Sequence, residues 1–62
     1  VRAIDKLHCV QRELRWRYKV FPKRVNDKKM TQAQADREIK LMEEIAADYR
    51  KQVEEETPGL PV

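Results

Sequence analysis

The feature that most constrains this chain is a run of apolar residues in its second half: Ala35, Ile39, Met42, Ala46, Tyr49 and Val53. Their spacing is 4, 3, 4, 3, 4. Residues three and four apart share one side of an α-helix, so the repeat draws a single apolar seam along a long helix, where a strand would need a period of two. Leu41 and Ile45 widen the stripe on one side. The start of the helix is marked as well. Thr31 is placed to accept a bond from a free N–H of the first turn, and Gln34, three residues on, completes a T-x-x-Q capping box. Met30 before the cap and Ala35 at the fourth helical position are placed for a weak hydrophobic staple. The pattern predicts a helix over 31–55 and a partner helix to cover its seam. It points to no particular chemistry.

The partner is found upstream. Ala3, Leu7, Val10 and Leu14 are spaced 4, 3, 4, and the series continues to Tyr18 and Phe21. A helix over 2–20 is expected, with Asp5 in its first turn and Arg15, Arg17 and Lys19 near its end, each charge on the side that suits the helix dipole. Pro22 disfavours helical geometry at Phe21, so the helix is expected to end or kink there, with a short helical turn over Pro22–Val25 and a loop from Asn26 to Met30. With no Gly in the loop, Asn26 and Asp27 are the candidates for a left-handed or turn position. Two helices joined by a short connection pack antiparallel. The fold expected is therefore an all-α antiparallel helical hairpin over residues 1–56. The tail 57–62, with Pro58, Gly59 and Pro61, is expected to be frayed or docked through Leu60.

One stripe per helix does not account for all the apolar residues. At about 100° per residue, Cys9, Trp16 and Val20 lie on a side of the first helix roughly opposite Leu14. One hairpin leaves these residues, with Leu41 and Ile45, poorly covered. Burying a large apolar side chain is worth roughly 1.5–3 kcal/mol, and a chain of 62 residues is marginal without such help. Self-association through Cys9, Trp16, Val20, Leu41 and Ile45 is expected, most simply two hairpins forming a four-helix bundle.

Several function classes drop out on composition. One Cys and one His cannot make a four-ligand metal site within one chain. No cofactor motif is present. Cys9 as a lone thiol fits a reducing cytoplasm better than a secreted, disulfide-bonded scaffold. No apolar run approaches the roughly 18 residues of a membrane span, and the N-terminus has no signal-peptide core. The first residue is Val, as a GTG start codon, processing or trimming would each leave it.

The segment Arg12–Val25, followed by Lys29-Met30-Thr31-Gln32-Ala33-Gln34-Ala35-Asp36-Arg37-Glu38-Ile39 and Met42–Tyr49, resembles small helical proteins of bacterial phages and prophages. In those, an R-R-x-[YF]-P-x-W-V-like stretch precedes an M-T-x-x-x-A-D-x-E-I helix. The resemblance covers about residues 10–50. It implies a phage-related origin in a bacterial host cell and no established activity. Val25 stands where some of those proteins end the turn after an aromatic, and their loop Gly is missing here. A looser motif-level likeness, through Met30-Thr31 and Glu38-Ile39, is to the short C-terminal (SHOCT) domain, which implies an oligomerisation or interaction module.

Charge is divided along the chain. Residues 1–29 carry ten Lys or Arg against three Asp or Glu, net +7, and residues 30–62 carry four against eight, net −4. The first use of such a split is a basic helix paired with an acidic one. The second is a basic surface for a polyanion. Arg12, Arg15, Arg17, Lys19, Lys23 and Arg24 are the candidate nucleic-acid contacts, with Trp16 as a base-stacking platform. No recognised nucleic-acid motif accompanies them. Glu44 and Asp48, one turn apart, have no cation-binding loop around them and read as a solvated face. His8 and Cys9 are consecutive, so on a helix they diverge by about 100° and make a poor base–nucleophile pair. An enzyme is not expected. The expected function is interaction or assembly through helix faces, with accessory nucleic-acid binding as the alternative.

Overall fold

The computed structural model describes residues 1–56. Within them the chain forms two helices, α1 (Ala3–Asn26) and α2 (Gln32–Glu56), packed against each other as a hairpin. The cross-helix bonds run in opposite chain directions. Ala3 meets Glu56, Lys6 meets Tyr49, and Arg17 and Tyr18 meet Glu38 and Glu43. The tail 57–62 lies outside the described residues.

The seam of α2 is where its spacing puts it. Ala35 and Ala46 are buried, and Ile39, Met42, Tyr49 and Val53 are half-buried. The capping box is made in full: the Gln34 backbone N–H donates to Thr31 Oγ1 at 3.1 Å, and the Thr31 N–H donates to Gln34 Oε1 at 2.9 Å. These bonds satisfy two backbone donors that helix geometry leaves free.

α1 corrects the sequence reading in three places. First, the helix does not stop near residue 20. It passes through Pro22 to Asn26, and the turn expected at Pro22–Val25 is its last stretch. Proline inside a helix removes one hydrogen bond and costs about 3 kcal/mol. Here Pro22 is exposed on the outer side, while Phe21 is buried and Val25 half-buried beside it. Keeping those two on the seam offsets the local penalty, since each large apolar group buried is worth roughly 1.5–3 kcal/mol.

Second, the seam residue between Leu14 and Phe21 is Arg17, not Tyr18. Ala3, Leu7, Val10, Leu14, Arg17 and Phe21 repeat 4, 3, 4, 3, 4, and Tyr18 is exposed at the edge.

Third, of the two residues expected at a left-handed or turn position, Asp27 is in the turn and Asn26 is still helical, while the left-handed residue is Lys28, with φ 60°. It sits one residue past Asp27, the C-cap. The Lys28 N–H donates to the Val25 carbonyl at 3.1 Å and the Lys29 N–H to the Arg24 carbonyl at 2.9 Å. That pair of bonds is a Schellman ending, which needs a left-handed residue directly after the C-cap and usually has Gly there.

The core is thin. The buried apolar residues among those described are Ala3, Leu7, Phe21, Ala35 and Ala46. Three are alanines, which let the helix backbones come close but bury little area.

At the open end, α1 has no local side-chain cap, since its N-cap is Arg2. The other helix supplies one: the Ala3 N–H donates to Glu56 Oε2 at 3.2 Å.

Candidate functional site

The cross-helix bonds fix which flank of α1 faces the same way as which flank of α2. Counted round from the centre line of each seam, Arg17 at the seam's edge and Lys6 beyond it lie about 40–60° to one side of α1, and Tyr49 and Glu38 lie about 40–60° to one side of α2. These are the partners that touch. Arg17 Nη1 donates to the Glu38 carbonyl at 3.0 Å and lies 3.5 Å from Glu38 Oε2. Lys6 Nζ sits 5.9 Å from the Tyr49 ring centroid. Tyr18 and Glu43, which hydrogen-bond to each other, lie on the opposite flanks.

Continuing round on the Lys6–Arg17 side reaches Val20, Cys9 and Trp16 at about 100–140° from the α1 seam, and Ile45 and Leu41 at about 80–120° from the α2 seam. The five residues expected to associate therefore share one broad face of the hairpin. Trp16 is 45% exposed, Leu41 42% and Ile45 40%. Cys9 is an exposed free thiol, and Val20 is half-buried. Cys9, Arg12, Glu13 and Trp16 line a shallow open depression on this side.

Trp16 is held in place rather than loose. Its ring meets Phe21 edge-on, with centroids 6.2 Å apart and planes at 75°. The Arg24 guanidinium carbon lies 5.2 Å from its centroid. Edge-to-face pairs and cation–π contacts of this kind fix the rotamer of a half-exposed ring. The indole is thus held pre-positioned, which lowers the entropy that covering it would cost.

The six candidate polyanion contacts separate into two groups. Arg17 is occupied inside the hairpin: its side chain is 18% exposed, Nε donates to Glu13 Oε1 at 3.3 Å, and it lies over Phe21 at 5.6 Å. Arg24 is stacked on Trp16 and Phe21. The other four, Arg12, Arg15, Lys19 and Lys23, are exposed. Spaced 3, 4, 4, they form one stripe on the side of α1 turned away from α2. Among the described residues none of the four has a carboxylate within ion-pair distance.

His8 and Cys9 are both exposed. No group of three or more His, Cys, Asp or Glu side chains that could hold a metal ion occurs among the described residues, and no helix among them is long and apolar enough to cross a membrane.

Periodicity alone misses the acids that tie the helices together: Glu38, Glu43 and Glu56. The signal for the first two was present, because charged residues beside a seam are the ones that reach across it. Glu43 also acts on its partner. Its carboxylate accepts the Tyr18 hydroxyl, and this bond, with slight burial and the negative charge, raises the phenol above its ordinary pKa of 10.0.

The chain matches no protein-family model, no curated protein and no solved structure.

Proposed function

We propose that this chain is a small helical interaction module, phage-related as its motifs suggest, that works by self-association through the face bearing Cys9, Trp16, Val20, Leu41 and Ile45. The observation that carries this is the contrast between the two sides of the packing. The hairpin's own core is five buried residues, three of them alanine. The apolar face outside it holds a Trp, a Leu and an Ile, each at least 40% exposed. Covering that face would add large-side-chain burial to a core that has little of it.

The test is mass in solution by light scattering across a range of salt concentrations. A hydrophobic association persists as salt rises, because screening acts on exposed charges and not on apolar burial. A salt-insensitive dimer or tetramer is the expected result. A monomer at every concentration overturns the reading.

A second reading, accessory nucleic-acid binding, is favoured by the unpaired stripe Arg12, Arg15, Lys19 and Lys23. It predicts a complex with a short DNA duplex that forms at low salt and dissociates steeply as salt is raised, since each neutralised phosphate releases condensed counterions. A monomer that behaves in this way would put the second reading first. Arg15 and Lys19 lie well round from the apolar face and can be mutated without touching it, whereas Arg12 borders that face beside Cys9 and Trp16.

A further inference from the structure

Resting on the self-association reading, we infer that the partner is a second copy related by a twofold axis parallel to the helices, so that α1 of each copy lies on α2 of the other. Two hairpins can stack on this face with a twofold axis in only two simple ways. An axis running across the helices sets α1 on α1 and α2 on α2. An axis running along them sets α1 on α2, twice. Charge separates the two. Residues 1–29 carry net +7 and residues 30–62 net −4. The axis along the helices places basic on acidic at both contacts, and the axis across them places like on like, which interfaces avoid.

The heights of the side chains agree. The Arg17–Glu38 bond sets the level between helices. Counting from it in opposite directions, Trp16 stands within two residues, or about 3 Å, of the level of Leu41, and Cys9 within one residue, about 1.5 Å, of Ile45. A twofold axis along the helices preserves height. The pre-positioned indole of Trp16 therefore meets the partner's Leu41, and Cys9 meets the partner's Ile45, each contact occurring twice. On the outer rim, Arg12 is within one residue's rise of the partner's Glu44, and both side chains are exposed and have no ion pair among the described residues of the single hairpin.

The closing experiment uses the full chain carrying Ile45→Cys, at a position exposed enough that the hairpin does not depend on it. Mild oxidation followed by non-reducing electrophoresis reads the arrangement. The expected result is a covalently linked dimer for Ile45→Cys and none for the unmodified chain, because the two Cys9 thiols then sit on diagonally opposed helices, too far apart to bridge. Ala47→Cys, on the opposite flank of α2, should stay monomeric on the same gel. A charge swap gives a second readout: Arg12→Glu and Glu44→Arg should each weaken the dimer about threefold, and the double variant should restore it. A non-covalent dimer by light scattering in which Ile45→Cys does not link, or in which the unmodified chain links through Cys9, overturns this arrangement while leaving self-association intact. A monomer by light scattering overturns both.

Discussion

The carboxylate of Glu56 accepts a hydrogen bond from the backbone N–H of Ala3 at 3.2 Å, so the last turn of α2 caps the first turn of α1. The side chain of Arg2, the N-cap, offers no acceptor. The negative charge also stands at the positive end of the α1 dipole. Glu56→Ala should lower stability by about 1 kcal/mol, the usual loss when an N-cap acceptor is removed. Urea unfolding measures the total. Hydrogen exchange locates it, with faster exchange expected at Ala3 and its neighbours and not at the turn. Unchanged exchange at Ala3 would show that the bond contributes nothing in solution.

Arg17 is the polar member of an apolar seam, and its bonds to the Glu38 carbonyl, the Glu38 carboxylate and Glu13 hold the middle of the hairpin in register. Arg17→Ala should destabilise by roughly 1.5–3 kcal/mol, the range for hydrogen bonds to a charged group that is largely shielded. Arg17→Lys should recover only part of this, because an ammonium cannot serve three acceptors from a planar fork or lie flat on Phe21. Equal stability of the Lys variant and the native chain in denaturant unfolding would refute the multidentate role.

Lys28 adopts φ 60° in the Schellman ending of α1. A residue with a Cβ in that conformation is strained by roughly 1–2 kcal/mol, and Gly is not. Lys28→Gly should therefore stabilise the hairpin by up to about 1 kcal/mol after the added flexibility of the unfolded chain is subtracted. For a domain of this size that corresponds to a rise in Tm of about 4–8 °C. A fall in Tm would mean that the Lys28 side chain contributes something its backbone geometry does not reveal.

The Tyr18–Glu43 bond has a pH signature. The folded phenol is raised above 10.0 by its hydrogen bond to Glu43. A raised folded value means the stabilisation is complete below the unfolded value near 10 and is lost as pH climbs through the folded one. Stability should show no contribution from Tyr18 ionisation between pH 7 and 9, and should fall above that. In an NMR titration, Glu43→Gln should return the Tyr18 ring to an earlier midpoint. An identical midpoint in the variant would remove Glu43 as the cause.

The hairpin itself was legible because it depends on repeats and caps, which are local. The α2 seam and the Thr31–Gln34 box could be read from spacing alone. The extension of α1 through Pro22 could not, because the local proline penalty is offset by Phe21 and Val25, whose burial exists only once α2 is in place. Arg17 was misplaced for a related reason. Following apolar residues led to Tyr18, whereas strict heptad spacing leads to Arg17, which is acceptable on the seam because Glu13 and Glu38 meet it there. Glu56 could not be read as a cap at all, since it stands 53 residues from the N–H it accepts. The shared face was half legible. Its five residues could be named, but the cross-helix bonds were needed to show that the α1 and α2 members turn the same way.

Ala3, Ala35 and Ala46 make up most of the buried set, and this decides how the chain tolerates change over generations. Where a large side chain fills a core, smaller replacements leave voids. Here the constraint runs the other way, because a bigger group has nowhere to go and would push the helices apart, at about 1–3 kcal/mol for each added bulk. Ala46→Leu should unfold more readily than the native chain, whereas changes at exposed Arg37 or Lys40 should stay within about 0.5 kcal/mol. A saturation screen should show intolerance of larger side chains at these alanines, losses on truncation at Leu7, Arg17 and Phe21, and freedom across the exposed positions. The small residues, easily passed over in the sequence, thus set how closely the two helices can approach.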